Sequence, residues 1–232
     1  MNKYNLGLTK TKKEMLDEIN STLTKNTEHY RQLLYELSDV LYDIQANKRL
    51  TKRHIDKLRE GMMRSWEYVW YYYSGHFVSL MAEDFPECKE LFLELWHSKD
   101  AKLRQRAIYI LDSDSPDSLV EQVVNESKYD RSKWVRSAIA GHIFEKELKQ
   151  YISELKVRVR EEKDDMVRTT LEEMIFFMEN GYRLKKVDEN HSIIDYKCGN
   201  RMIGRMIPNT EIARYTTKEY IETIKTIGMF PD

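Results

Sequence analysis

Arg104, Arg136 and Arg168 stand 32 residues apart, each the fifth residue of the same short phrase. The phrase reads Asp100-Ala101-Lys102-Leu103-Arg104, then Ser132-Lys133-Trp134-Val135-Arg136, then Asp164-Asp165-Met166-Val167-Arg168. A guanidinium fork binds a phosphate or a carboxylate through two parallel hydrogen bonds. A row of such forks could therefore grip a phosphate or an acidic ligand, or each could bond a carboxylate or loop carbonyl of the neighbouring repeat. Trp66, Trp70, Trp96 and Trp134 are the second set of candidate contacts, because indole rings supply large, rigid surface to a partner. With the three arginines they make up the candidate partner-binding residues.

Other chemistry finds no support in residue types and spacing. The six histidines form no HExxH and pair with neither cysteine, so we expect no metal site. No GxSxG, phosphate-binding glycine loop or dinucleotide fingerprint occurs, and no two carboxylates fall at a spacing that defines an acid–base pair. We therefore expect no catalytic residues and no cofactor, and a binding protein rather than an enzyme. Lys48, Arg49, Lys52, Arg53, His54, Lys57 and Arg59 crowd a helix start, where cations oppose the macrodipole. They either pair with Glu28, Glu36 or Asp39 of the preceding helix or meet nucleic acid or an acidic partner.

The elements that must position these residues are helical. A third of the 232 residues are charged, with only 8 Gly and 4 Pro, which favours long helices over many-turned β structure. Lysine plus arginine number 38 against 39 acidic residues, which argues against a chain-wide grip on nucleic acid but leaves room for a local basic face. Cys88 and Cys198 form no CxxC and read as free thiols in a reducing, cytoplasmic setting, with Cys88 in the core. No apolar run is long enough for a membrane span, so no membrane partner is expected.

The period carries the architecture. Leu111, Ile143 and Ile175 fall in register with the phrase, as do Leu91, Val123 and Leu155, and Cys88, Val120 and Ile152. Apolar positions recurring at a fixed period of this length indicate stacked helical pairs, so the expected fold is mainly α, an α-α superhelix or solenoid, with a small C-terminal β-hairpin appendage. Residues 1–26 form a polar N-terminal segment with a short helix through Met15, Leu16 and Ile19. Residues 27–82 hold the N-terminal helices. The first ends near Asn47, and the second, capped by Thr51, runs on through the aromatic stretch Trp66 to Tyr73 as far as Ser74-Gly75. Residues 83–180 hold the repeats, with Asp100, Ser132 and Asp164 as caps, Ser115 capping a helix through Val124, and a partner helix over 145–161. Residues 181–232 hold a hairpin or small meander over 182–207, then a closing helix opened by a capping box at Thr216–Glu219.

The phrase resembles HEAT repeats, carried by Leu103-Arg104 with Ala107, Val135-Arg136 with Ala138 and Ala140, and Val167-Arg168, over about residues 85 to 180. That resemblance implies a helical scaffold whose concave surface takes an extended partner. Within the group, residues 98–108 are similar to a segment of the bacterial DNA alkylation-repair glycosylases. This similarity implies a reader of alkylated duplex DNA, with Trp96 and Asp100 in the role of an aromatic-plus-acid pair and Arg104 or Arg136 as a phosphate contact. The leading expectation is a non-enzymatic scaffold or adaptor that binds another protein. The alternatives are a DNA-binding protein or glycosylase of that kind, and a homo-oligomeric structural module joined through the aromatic helix or a β edge.

Overall fold

A capping box opens the first helix: the Thr11 hydroxyl accepts from the Glu14 N–H at 3.3 Å and the Glu14 carboxylate takes the Thr11 N–H at 2.7 Å. The computed structural model describes residues 6–111, 115–198 and 201–230. The first five residues of the polar segment lie outside it, as do Gly199 and Asn200 within the expected hairpin or meander over 182–207. The chain is mainly helical with one small antiparallel sheet. Among the described residues no helix is long and apolar enough to cross a membrane. Contacts divide the chain into two compact units, residues 1–135 and 136–232.

In the first unit, α1 (Lys12–Thr22) buries Met15 and Ile19, so the polar N-terminal segment joins a packed core. The three- and four-residue spacing of Leu33, Leu34, Leu37, Val40, Leu41 and Ile44 gives α2 (Arg31–Asn47) one buried face. Thr51 caps α3 (Lys52–Met62), which buries Leu58 and Met62. Each fully buried leucine contributes roughly 2 kcal/mol through area removed from water. The expected single helix through the aromatic stretch does not form. α3 ends at Met62, and the chain resumes as a π-helix over Tyr68–Gly75, followed by α4 (His76–Leu80).

Tertiary contacts account for that break. Arg106 donates to the Arg64 carbonyl at 2.7 Å and lies 5.2 Å over the Trp70 ring, satisfying backbone freed where α3 stops. The Ser74 hydroxyl bonds the Val69 carbonyl five residues back, at 3.1 Å. Gly61 leaves room for that hydroxyl, since a Cβ there would lie 1.9 Å from it.

Next come α5 (Pro86–Trp96), with proline in its first turn, α6 (Ala101–Ile110) capped by Asp100, and α7 (Asp117–Ser127). Ser115 does not cap α7, because its hydroxyl faces that of Ser79 at 2.5 Å. α8 (Lys133–Glu145) begins after Ser132 and continues across the division between the units.

In the second unit the expected partner helix starts later than residue 145. Glu147 takes a left-handed φ of 52° and a 3-10 turn precedes α9 (Ile152–Glu161). α10 (Asp165–Asn180) starts at its Asp164 cap and stops at Gly181, whose φ of 78° is the left-handed conformation that glycine adopts without strain. The β appendage is a three-stranded meander rather than a hairpin: β1 (Tyr182–Lys186), β2 (His191–Cys198) and β3 (Arg201–Pro208), in the order β1-β2-β3. Its core is Ile194, Tyr196 and Ile207 packed with Tyr215, Ile221 and Ile224. Tyr215 ends the short α11 (Ile212–Tyr215), and the two isoleucines belong to α12 (Lys218–Ile227). Thr217 alone caps α12, by accepting from the Tyr220 N–H at 3.2 Å. The residue three positions past that cap is Tyr220, so Glu219 completes no box.

Candidate functional site

Two of the three periodic arginines clamp carboxylates. The Arg104 fork bonds both oxygens of Asp130, at 2.6 and 2.9 Å, and also the carbonyls of Ser98 and Lys99. Arg136 repeats the arrangement 32 residues on, meeting both oxygens of Glu162 at 2.7 and 2.8 Å. Each carboxylate also takes the N–H that opens the next phrase, Ser132 for Asp130 and Asp164 for Glu162. The Ser98 hydroxyl takes the Asp100 N–H in the same column. Hydrogen bonds from Arg136 hold the Glu162 carboxyl below the usual range, outweighing burial. Arg168 differs: it bonds Asp165 within its own helix and reaches the Glu162 carbonyl at 3.4 Å. Asp130 and Glu162 were missed in the sequence, although they share the 32-residue spacing.

The tryptophans separate. Trp96 is buried and donates to Glu126 at 2.6 Å, and it lies in α5 while Asp100 caps α6, so the two do not form an aromatic-plus-acid pair on one helix. Burial works against the charge of Glu126, but bonds from Gln122, Trp96 and His97 hold it below the usual carboxylate range. Trp70 is buried beneath Arg106, whereas Trp134 is 56% exposed. Trp66 is half-buried, 5.5 Å from Tyr30 and 5.1 Å from Tyr68.

The π-helix collects rings more densely than any other element. From Trp66 the contacts run to Tyr68, from Tyr68 to Tyr72 and Tyr73, and from Tyr72 to Tyr71 at 4.9 Å. Valine and serine of this element turn inward, Tyr73 is buried, and Tyr72 is 56% exposed. Tyr68, Tyr72 and Tyr73 line one wall of a groove of about 500 Å³. Lys10, Met15 and Glu18 line it too, with Lys10 and Glu18 paired at 2.6 Å. Burial pushes the Tyr73 phenol up, so it stays protonated as a hydrogen-bonding group. The groove offers ring faces and one ion pair.

A second, polar cleft of about 600 Å³ lies where α1, α2 and the start of α3 meet. The basic cluster of α3 is largely paired: Lys52 with Asp56, Lys57 with Glu36 and Glu60, and Arg59 with Asp56 and Glu94. Lys12 pairs with Asp39 across the cleft, at 2.8 Å. The buried His54 bonds Asp43 through Nε2 at 3.0 Å, and its Nδ1 has no hydrogen-bond partner among the described residues. Burial lowers its pKa, with Asp43 opposing.

The thiols are poor nucleophiles. Burial pushes Cys88 up to about 12, and Cys198 is raised as well, its Sγ bonding the Ile224 carbonyl. Among the described residues no group of three or more His, Cys, Asp or Glu side chains is arranged to hold a metal ion. No protein-family model matches the chain, and neither a curated protein nor a solved structure does.

Proposed function

We propose that the chain is a non-catalytic scaffold or adaptor, working in a reducing compartment such as the cytoplasm, that binds another protein through the aromatic face of its π-helix. One observation carries the reading: the exposed Tyr72 ring stands beside Tyr68 at the mouth of a groove with an apolar wall. Exposed, mutually supported aromatic rings are the side chains that anchor protein interfaces, because they bury large area at small conformational cost. π-helical segments are rare and concentrate at functional sites. The carboxylate-bound Arg104 and Arg136 fit a role in holding the repeated helices as a scaffold.

Peptide selection by phage display on the intact chain tests the proposal. Enriched peptides should carry aromatic or long aliphatic anchors. Tyr72→Ala should weaken them about tenfold or more, whereas Tyr109→Ala, at an exposed position on α6, should leave them unchanged. Enrichment of nothing, or of peptides indifferent to Tyr72→Ala, would remove this reading.

A further inference from the structure

The turn from α7 into α8 reads Lys128-Tyr129-Asp130-Arg131-Ser132-Lys133-Trp134, which places a lysine immediately before each of two aromatic residues. Both rings face solvent: Tyr129 is 80% exposed and Trp134 56%. Lys128 lies 5.2 Å over the Tyr129 ring and Lys133 lies 5.4 Å over the Trp134 ring. The acid between them is occupied, because Asp130 is clamped by Arg104. Arg131 donates to the Lys99 carbonyl at 2.9 Å and so ties this turn to the one between α5 and α6, which carries Lys99 and Lys102. Among the described residues none of Lys99, Lys102 and Arg131 pairs with a carboxylate. Two neighbouring turns thus combine exposed flat rings with a local excess of positive charge, on a chain whose net charge is only -1.

We propose that this pair of turns binds single-stranded nucleic acid, with bases stacking on Tyr129 and Trp134 and phosphates meeting Lys99, Lys102 and Arg131. Every base offers a π face, so ring platforms flanked by cations grip an unpaired strand with little regard to sequence. Stacking of this kind needs splayed bases, which a duplex does not offer. A protein interface core is depleted in lysine, and lying in a membrane surface needs the broad apolar face of an amphipathic helix. Among the described residues of these two turns the exposed large apolar groups are only Tyr129 and Trp134. The site is separate from the π-helix and stands without the protein-binding reading.

Fluorescence anisotropy of the intact chain with labelled oligothymidylate and oligouridylate of about twenty nucleotides tests it, at about 50 and 200 mM salt. Binding should weaken about twentyfold over that range if some three phosphates are neutralised. Tyr129→Ala and Trp134→Ala should each weaken it by about fivefold to 150-fold, while Trp134→Phe keeps most of it. Lys102→Glu and Arg131→Glu should abolish the tight phase. Polyglutamate, anionic phosphatidylglycerol vesicles and a blunt duplex serve as competing probes, and circular dichroism checks each variant's fold. Absence of oligonucleotide binding at the lower salt overturns the proposal. So does binding indifferent to both ring truncations, or a clear preference for the polyanion, the vesicles or the duplex.

Discussion

Arg104 and Arg168 occupy the same column of a 32-residue repeat, yet removing them should have different consequences. Arg104 and Asp130 are each less than a tenth exposed, so Arg104→Ala leaves a carboxylate buried beside an empty space. Breaking a buried pair from one side costs about 3 kcal/mol or more. Arg168 is 40% exposed and its partner Asp165 is 85% exposed, and Arg168→Ala should stay within about 0.5 kcal/mol of the parent. Urea unfolding of the two variants makes the comparison, and equal losses would show that Asp130 is relieved by another group. His54 gives the pH dependence its sign. The unfolded imidazole takes its proton near pH 6.5, while burial lowers the folded value. Between those two values the unfolded chain holds more protons, so stability is full above about pH 6.5 and falls as pH drops through the folded value. The urea midpoint should decline from about pH 7.5 to 5, and His54→Gln should flatten that decline. The arginine pairing was half legible in the sequence. The repeat named the cations, but Asp130 and Glu162 lie 26 residues further on in neighbouring turns, where no local pattern links them to their arginines.

At the scale of elements, the π-helix depends on two neighbours that fit each other closely. Gly61→Ala gains about 1 kcal/mol of helix propensity in α3, but its Cβ would meet the Ser74 hydroxyl at 1.9 Å and Leu37 at 3.1 Å. Overpacking of that kind costs about 1–3 kcal/mol, so the net change should be destabilising. The loss from Gly61→Ala should shrink when Ser74 is already alanine, because the clashing oxygen is gone. A double-mutant cycle read by thermal unfolding measures the coupling, and additive losses would mean that the two sites do not share the strain. This element shows where sequence reading stops. Leu33 to Ile44 repeat at helical spacing and α2 follows directly, since one buried face is all that it needs. Trp66 to Tyr73 carry no such single face. They are packed beneath Arg106 from α6 and beside Gly61 from α3, contacts that no local window contains. The sequence left 182–207 open between a hairpin and a small meander, and so left β3 undecided, for a similar reason. Its outward residues are polar or flexible, and it is held by pairing to β2, where Gly204 leaves space for Asp195.

For the molecule as a whole, net charge sets how strongly two copies repel. The chain carries -1 at pH 7 and its isoelectric point is near 6.6, so little repulsion separates two copies at neutral pH. Exposed apolar side chains are available in both units, Tyr72, Tyr129 and Trp134 in the first and Met202 and Met206 on β3 in the second. β3 is also an edge strand of its sheet, although Arg201, Arg205 and Pro208 work against pairing with a further strand. The pH profile of association should be lopsided. Below the isoelectric point the net charge turns positive, and histidine is the residue type whose ordinary pKa lies in that range; the sequence has six, and burial lowers the pKa of His54. Above it the two thiols are displaced upward, Cys88 to about 12, so negative charge builds slowly. Sedimentation velocity across about pH 5 to 8.5 should show mean mass highest near 6.6, falling sharply toward pH 5 and only gradually toward 8.5. Met206→Lys adds a cation to the β3 edge and should lower the maximum if that edge carries the contact. A profile symmetric about the isoelectric point would mean that groups other than the histidines govern the encounter, and a maximum unmoved by Met206→Lys would shift attention to the exposed rings of the first unit.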